Sequence, residues 1–398
     1  MVKKIMKKYL LHNGIQLILA PKKSFSSFVM FVTEAGTQNE NDCPMGIAHL
    51  TEHQIVRILT KIEEDSKINQ KIKWSNAFIK KEYTCFWYRV FNEDLFEASG
   101  SMKEMLDKLS QLPYIAKDII DKDKEIIDLE CKNVIANNSE LVLLERLETK
   151  IFKGKGLSRP IYSLSDSINN INYNDVRNFI NNYYKKNAYI VIAGACADQK
   201  KYIDLFNNSS FKIIDQKNIL NKNVSQVNEK DGKVGYNQNI ALGFLIRSPK
   251  VLKEYIAIEL LTQLYYKYRK EIFKSNELLL LSVQFRMYKK TSMLKFRCKT
   301  LNSENRLKEE IETETNKRFK NFIICNNELD MVKREFLYSF LRDIDKIDFY
   351  AMWIFKSLYY LNNIIEIEEV ITEIYNIDIQ YINQINRSIE NKVMFHVS

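Results

Sequence analysis

One five-residue segment, His49-Leu50-Thr51-Glu52-His53, contains two of the four histidines of the chain. Side chains four residues apart lie on one face of a helix, so His49 and His53 can present two imidazoles to one metal ion. Glu52 points to the same side, where it is placed to act as a general base. This H-x-x-E-H pattern predicts a hydrolytic zinc site that needs a third protein ligand and an open fourth position. The alternative is a pair of helical histidines without a metal.

The elements around the segment must position these side chains. Gly46 opens a helical stretch through about Lys61 that carries the motif. A long amphipathic helix is predicted from residue 116 to about 150, with a break near Asn137-Asn138. The first half also has predicted strands at 15–19, 28–32, 83–90 and 188–193 and a helix at 93–112.

The second half repeats this order of elements. A polar, Asn/Lys-rich stretch at 215–235 is interpreted as a linker between domains 1–214 and 236–398. Beyond it we predict a strand at 240–246, a helix at 255–270, paired strands at 278–288 and 293–297, helices to about 387 and a last strand at 392–397. The repeated pattern predicts an α+β fold made of two homologous α/β-sandwich halves.

The sequence around the motif resembles the pitrilysin/insulinase family of zinc metallopeptidases, in particular the catalytic subunit of its small two-chain bacterial type. The match covers about the first 200 residues well and the rest in outline. The segments that carry the resemblance appear in the order typical of the family's catalytic half: Glu34-Ala35-Gly36-Thr37, Gly46 to His53, Asn76-Ala77, Thr84 to Tyr88, Arg159-Pro160-Ile161-Tyr162, Phe179 to Tyr184 and Ala188 to Gly194.

The resemblance implies a third zinc ligand and a supporting acid on the long helix. In the family, the third ligand is a glutamate 77 positions after the second histidine, and 53 + 77 gives Glu130. The family also has a glutamate seven positions before that ligand, where this chain has Asp123. Aspartate keeps the charge but reaches about one methylene less far, so the resemblance alone does not establish its supporting role.

The resemblance further implies one zinc ion per chain and a peptide substrate. Bound zinc lowers the pKa of a water and polarises the scissile carbonyl, while Glu52 takes the proton. Asn76 and Ala77 precede a strand that, in the family, pairs with the backbone of an extended substrate. The sequence therefore predicts a zinc metalloendopeptidase that processes peptides. The alternative interpretation of Asn76 is an ordinary turn residue.

The second half departs from the family pattern. The family binds substrate with an Arg and a Tyr about seven residues apart, near a glycine. Arg269 is placed for the Arg, but residue 276 is Asn and the glycine is missing. The departure predicts a paralogous partner subunit that supplies the Arg/Tyr pair, or a homodimer. The alternative is a non-catalytic assembly subunit, although such subunits normally lose zinc ligands that this chain keeps.

Composition disfavours other classes of protein. The Gly-rich phosphate-binding patterns G-x-G-x-x-G and G-x-x-x-x-G-K-(S/T) do not occur. The net charge of +10 comes from basic residues scattered among acidic ones, without a nucleic-acid-binding motif. The six cysteines are far apart in sequence, which predicts free thiols in a reducing compartment. We found no convincing export signal and no apolar stretch long enough to span a bilayer. These features predict a cytoplasmic protein without nucleic-acid or membrane partners.

Overall fold

The structure is a computed structural model that describes residues 6–66, 74–112, 117–162, 166–214, 239–269, 278–300, 326–389 and 395–397. These residues form two compact units, each with one β-sheet and packed helices. The predicted fold class, α+β with two α/β halves, is confirmed. The linker predicted at 215–235 lies outside the described residues.

The first unit contains a six-stranded sheet. Its strands are β1 (Lys7–Leu10), β2 (Gln16–Pro21), β3 (Ser26–Thr33), β4 (Trp74–Ile79), β5 (Thr84–Phe91) and β6 (Ala188–Gly194), in the order β1-β2-β6-β3-β5-β4. Only the β2–β6 pair is parallel. The sequence analysis missed β1, a short strand with mostly exposed residues and little apolar pattern.

Helices cover one face of this sheet. They are α1 (Ile47–Asp65), α2 (Leu95–Gln111), α3 (Lys117–Asn137), α5 (Tyr173–Phe179) and α6 (Gln199–Asn207). Alternate strand residues such as Phe31, Phe86 and Ile190 point into the core between sheet and helices and are fully buried. A helix packed on such a surface needs an apolar stripe, which α1 provides with Leu50, Ile55 and other residues on its buried side.

The second unit contains a four-stranded sheet of order β10-β7-β9-β8, whose described pairs are all antiparallel. The elements that lie wholly or partly in this unit are, in chain order, α4 (Ser139–Ile151), β7 (Asn239–Arg247), α7 (Leu252–Lys267), β8 (Leu278–Arg286), β9 (Thr291–Thr300), α8 (Asn326–Ile344), the last residues of α9 (Ile347–Leu361), α10 (Ile367–Asn376), α11 (Ile379–Ser388) and β10 (Phe395–Val397). The break predicted near Asn137-Asn138 is present, because α3 ends at Asn137 and α4 begins at Ser139.

The compact units differ from the sequence boundaries at two segments. Residues 139–151, which form α4, belong to the second unit, where α4 packs on β7, β9 and β10. Residues 345–355 belong to the first unit. There Phe355 lies edge-on to Tyr83 and Tyr189, with ring centroids 5.1 and 5.5 Å apart. In both cases, packing against residues distant in sequence determines the unit to which the segment belongs. The local sequence pattern does not indicate that assignment.

Loops behind the start of α1 meet backbone to backbone. The Gln38 N–H donates to the Lys81 carbonyl at 2.9 Å. A Cβ at Gly36 would collide with the carbonyl groups of Lys80 and Lys81, and one at Gly156 would collide with the carbonyl of Gln38. The absence of side chains at both glycines therefore permits this close approach.

Two general predictions can be compared with the described residues. Five cysteines, at positions 43, 85, 131, 196 and 298, are free thiols, and Cys325 lies outside the described part. Within the described ranges, none of the helices has the length and apolar character needed to cross a bilayer.

Candidate metal centre

The first turns of α1 position the two histidines. Gly46 adopts φ +94°, a left-handed conformation that favours glycine, and the helix begins at the next residue. His49 and His53 therefore lie one turn apart, with ring centroids 5.0 Å from each other. Both imidazoles are largely buried, with 7% and 17% of their side-chain surface exposed. The two Nε2 atoms face a common point.

Glu130 on α3 reaches the same point. Its Oε2 lies 3.5 Å from the Nε2 of His49 and 3.5 Å from that of His53. Ligand atoms about 2.0–2.1 Å from a tetrahedral zinc ion are separated by roughly 3.3 Å, so both distances from Glu130 are close to the spacing of two ligands on one such ion. Two imidazoles and a carboxylate are also donor types that zinc accepts. The donor set therefore fits zinc.

Glu52 is the second carboxylate at this point. Its Oε2 lies 4.0 Å from both Nε2 atoms, farther than the carboxylate oxygen of Glu130. The ligand-type atoms of His49, Glu52 and His53 all lie within 4.8 Å of one another. Burial raises the pKa of Glu52 to about 7, and the charge of Glu130 adds to this effect, while His49 opposes it. A carboxyl with that pKa can accept and return a proton near neutral pH.

The two imidazoles titrate differently without a metal. Burial acts against the charged form of His49, but hydrogen bonds with Cys131 and Glu130 and the charge of Glu52 raise its pKa to about 9. Burial and the neighbouring His49 lower the pKa of His53. Metal ligation requires neutral imidazoles, so a metal that binds here must displace a proton from His49.

Asp123 links α3 to α1 near the site. Its carboxylate is buried and accepts hydrogen bonds from Gln54 and Arg57 of α1. The sequence analysis left its supporting role open because aspartate is shorter than the glutamate of the family. Here the long side chains of Gln54 and Arg57 span the remaining distance to α3.

Glu40 contacts the start of α1. Its carboxylate is buried, and its Oε1 accepts the N–H of Ala48 at 3.0 Å. Backbone N–H groups at the start of a helix lack partners within the helix, so this contact caps α1 directly before His49. Tyr162 lies beside the same histidine, with its ring edge-on to His49 and centroids 6.2 Å apart.

The sequence analysis named Asn76, Ala77 and Arg269 as binding residues, and the structure places them as follows. Asn76 and Ala77 lie on β4, the last strand in the sheet order, opposite Trp87 and Phe86. Arg269 belongs to the second unit. Its guanidinium lies over the ring of Tyr266, 4.6 Å from the centroid, and donates to the Tyr266 carbonyl at 2.9 Å. The contacts shown for Arg269 are thus local, and position 276 is outside the described residues.

Four residues around the site were missed by the sequence analysis: Gln54, Arg57, Glu40 and Tyr162. A signal existed for Arg57, because it follows His53 by four residues and so lies on the same face of α1. Glu40 lies in a short 3-10 helix and Tyr162 in a loop, and their proximity to His49 is a long-range contact. Tyr162 ends one of the segments that carry the family resemblance, but no local pattern placed either residue beside the histidines.

Comparison with known proteins identifies one family. Residues 16–164 match the family described as Insulinase (Peptidase family M16), so the chain carries an insulinase-family domain. The mitochondrial-processing peptidase β subunit of Caenorhabditis elegans is 25% identical over 186 residues, which is 46% of this chain and 40% of that protein. The uncharacterized zinc protease YmxG of Bacillus subtilis is 23% identical over 203 residues, or 49% and 47% of the two chains.

A third relative is named as a subunit of a reductase complex and not as a peptidase or protease. Core protein I of the mitochondrial ubiquinol-cytochrome-c reductase complex of Euglena gracilis is 23% identical over 199 residues, 49% of this chain and 39% of that protein. The matched stretches thus span less than half the length of these curated relatives.

Solved structures share the fold over almost the whole chain. A protease from Helicobacter pylori matches with a TM-score of 0.76 and 18% identity, over 96% of this chain and 95% of that one. A chain of complex III2 from Candida albicans matches with a TM-score of 0.77 and 14% identity, over 98% and 94%. At these identities the likeness concerns the fold.

Proposed function

We propose that this chain, which carries an insulinase-family domain, is a zinc-dependent endopeptidase that processes extended peptides together with a second subunit. One observation carries the proposal: the Oε2 of Glu130 lies 3.5 Å from the Nε2 atoms of both His49 and His53, close to the spacing of two ligands on one tetrahedral zinc ion. The carboxylate of Glu52 stands beside these donors. A zinc protease among the relatives gives additional support.

Each side chain has one role in this proposal. His49, His53 and Glu130 hold the metal, which when bound acidifies a water molecule and polarises the scissile carbonyl. Glu52 takes a proton from the attacking water and delivers it to the leaving amine. Its buried environment supports this role, because the raised pKa of about 7 makes both transfers accessible near neutral pH.

Asn76 and Ala77 are proposed to bind the substrate backbone. They lie on β4, the last strand in the sheet order, and the first residues of β4 are exposed. An extended peptide can add to such a strand through main-chain hydrogen bonds, which favours extended substrates over any one sequence. The contacts shown for Arg269 are local, so they do not support the presence in this chain of the Arg/Tyr pair that binds substrate in the family. A paralogous subunit with that pair is therefore the proposed partner, with a homodimer as the alternative.

Zinc content and two substitutions test the proposal. Protein purified without chelator should contain about one zinc ion per chain. The Glu52→Gln variant should lose peptide hydrolysis by about 10²–10⁴-fold and keep its zinc, because the amide cannot act as a base. The Glu130→Gln variant should bind zinc more weakly. Equal loss of zinc from both variants would contradict the division of roles.

A second candidate function is a non-catalytic subunit of a larger assembly, which the similarity to a complex III core protein favours. A peptidase assay on the chain alone and mixed with a paralogous subunit bearing the Arg/Tyr pair separates the two. Positioning the scissile bond accounts for several kcal/mol of the barrier, so we expect low activity alone and high activity in the mixture. Zinc binding without activity in either sample would favour the assembly role.

A further inference from the structure

We propose that Arg57 and Gln54 are positioning residues of the zinc site: they hold Asp123, and with it helix α3, so that Glu130 stays opposite the two histidines. This inference rests on the proposed function, because it concerns how tightly the site binds zinc. Neither residue touches the metal or the substrate.

The contacts form a clamp between α1 and α3. The Nε of Arg57 lies 2.7 Å from each carboxylate oxygen of Asp123, and a second guanidinium nitrogen donates to Oδ1. The amide Nε2 of Gln54 donates to Oδ2. The Asp123 side chain is only 2% exposed, whereas that of Arg57 is 44% exposed. A buried carboxylate is thus bound by an amide and by a guanidinium that reaches it from the surface.

The positions of these residues along the helices connect the clamp to the metal ligands. Asp123 precedes Glu130 by seven residues, which is two turns of α3 and about 10.5 Å. Arg57 follows His53 by four residues, one turn of α1. His53 meets Glu130, whereas Arg57, farther along α1, meets Asp123, which comes earlier on α3. The two helices therefore run antiparallel along this shared contact line, which we call the seam.

Helix α3 has few other anchors on this seam. Of its 21 residues, only four are buried, namely Ile120, Asp123, Ile127 and Cys131, whereas α1 buries ten of 19. The side chain of Glu130 is itself 47% exposed, so packing around it does not fix its position. The placement of the third ligand therefore depends strongly on how Asp123 is held.

Loss of the guanidinium should disturb this placement. The buried carboxylate of Asp123 would keep one amide donor and would move toward water or another cation to recover its lost bonds. Such a movement shifts α3 and with it the distance from Glu130 to the two Nε2 atoms. Substitution of residues that orient metal ligands typically lowers metal affinity by about 10–100-fold.

Zinc affinity of the whole chain, measured by competition with a chelator, tests the clamp. The Arg57→Met variant removes the guanidinium at a partly exposed position, and Arg57→Lys keeps the charge without the planar fork. Lys132→Met is the control, since Lys132 pairs with Asp128 at 2.5 Å on the exposed side of α3. Cobalt substituted for zinc reports the ligand geometry through its visible absorption spectrum.

We expect Arg57→Met to bind zinc at least about 10-fold more weakly, with an altered cobalt spectrum. Arg57→Lys should recover part of this loss, and Lys132→Met should match the wild type. Wild-type affinity and spectrum in Arg57→Met, with only a lower melting temperature of the zinc-free protein, would overturn the clamp. If Arg57→Met does not fold, Arg57→Lys decides in the same way. A wild-type protein that takes up no zinc would overturn the proposed function itself, and the clamp with it.

Discussion

Two clusters of charged groups, one in each unit, are built differently. In the second unit, the carboxylate of Glu148 and the ammonium of Lys295 lie 2.6 Å apart, and both side chains are less than 10% exposed. In the first unit, the carboxylates of Glu52 and Glu130 lie 3.5–4.0 Å from two imidazoles. Imidazoles carry a full charge only when protonated.

The cluster in the second unit is a completed ion pair, whereas that in the first unit is a set of donor atoms that can bind a cation. The pair in the second unit is complete, because each charge has a permanent partner of opposite sign within the chain. At the candidate metal centre of the first unit, nitrogen and oxygen donors converge without a permanent cation among the contacts shown. Such a cluster raises the free energy of the folded state unless a proton or a metal ion compensates the charge of the carboxylates. We therefore expect stability to depend on zinc through the first unit only.

The largest expected effect comes from breaking the pair in the second unit. The Lys295→Met variant leaves Glu148 buried without its cation, which should lower the free energy of unfolding by about 3–5 kcal/mol in denaturant titrations. Arg297→Met is the control, because its partner Glu140 is partly exposed and the loss should stay below about 1 kcal/mol. Equal effects of the two variants would contradict the view that the Glu148–Lys295 pair is an integral part of the core.

Zinc should act on the first unit with a somewhat smaller effect. At a free zinc concentration 100 times the dissociation constant, the free energy of unfolding should rise by about 2.7 kcal/mol. Thermal unfolding with zinc and with chelator measures this gain. The Glu130→Gln variant should show less of it at the same zinc concentration, whereas Lys295→Met should keep it in full. If Lys295→Met also lost the gain in stability from zinc, the expectation that zinc acts through the first unit only would be contradicted.

The smallest expected effect concerns the buried acid that caps α1. Burial raises the pKa of Glu40 to about 7, above its ordinary value of about 4.3. The folded protein therefore binds this proton more tightly than the unfolded chain. The resulting stability is complete below about pH 4 and is lost as the pH rises through 7.

The Glu40→Gln variant should remove this pH dependence, because its amide does not titrate. Between pH 5 and pH 8, we expect the wild type to lose about 2 kcal/mol more stability than the variant. The comparison uses unfolding in chelator, so that zinc does not contribute. Parallel curves for both proteins would show that Glu40 keeps an ordinary pKa.

The sequence predicted well what the geometry of a single helix determines. The shared face of His49 and His53 follows from helical periodicity, and the break near Asn137-Asn138 is present. Glu130 was identified only through the family spacing, since a glutamate on a charged helix carries no local signal of its own. Runs rich in β-branched and aromatic residues likewise predicted the central strands.

Contacts between distant segments could not be predicted in this way. The assignment of α4 to the second unit and of residues 345–355 to the first depends on packing partners far away in sequence. The same holds for Glu40 beneath the start of α1 and for Tyr162 beside His49. Their positions are set by the assembled core, whereas propensities and spacing describe only neighbours along the chain.

The two glycines in the loops behind α1 have a consequence for how this sequence can evolve. A side chain at Gly36 or Gly156 would meet main-chain carbonyl groups, which cannot turn aside as a flexible side chain can. By contrast, a Cβ at Gly100 would meet nothing within 4 Å. In a library of random substitutions selected for folded protein, Gly36 and Gly156 should tolerate no replacement, whereas Gly100 should accept other residues. Mutational drift can then alter the residues that face a substrate while the junction beneath the metal helix stays unchanged.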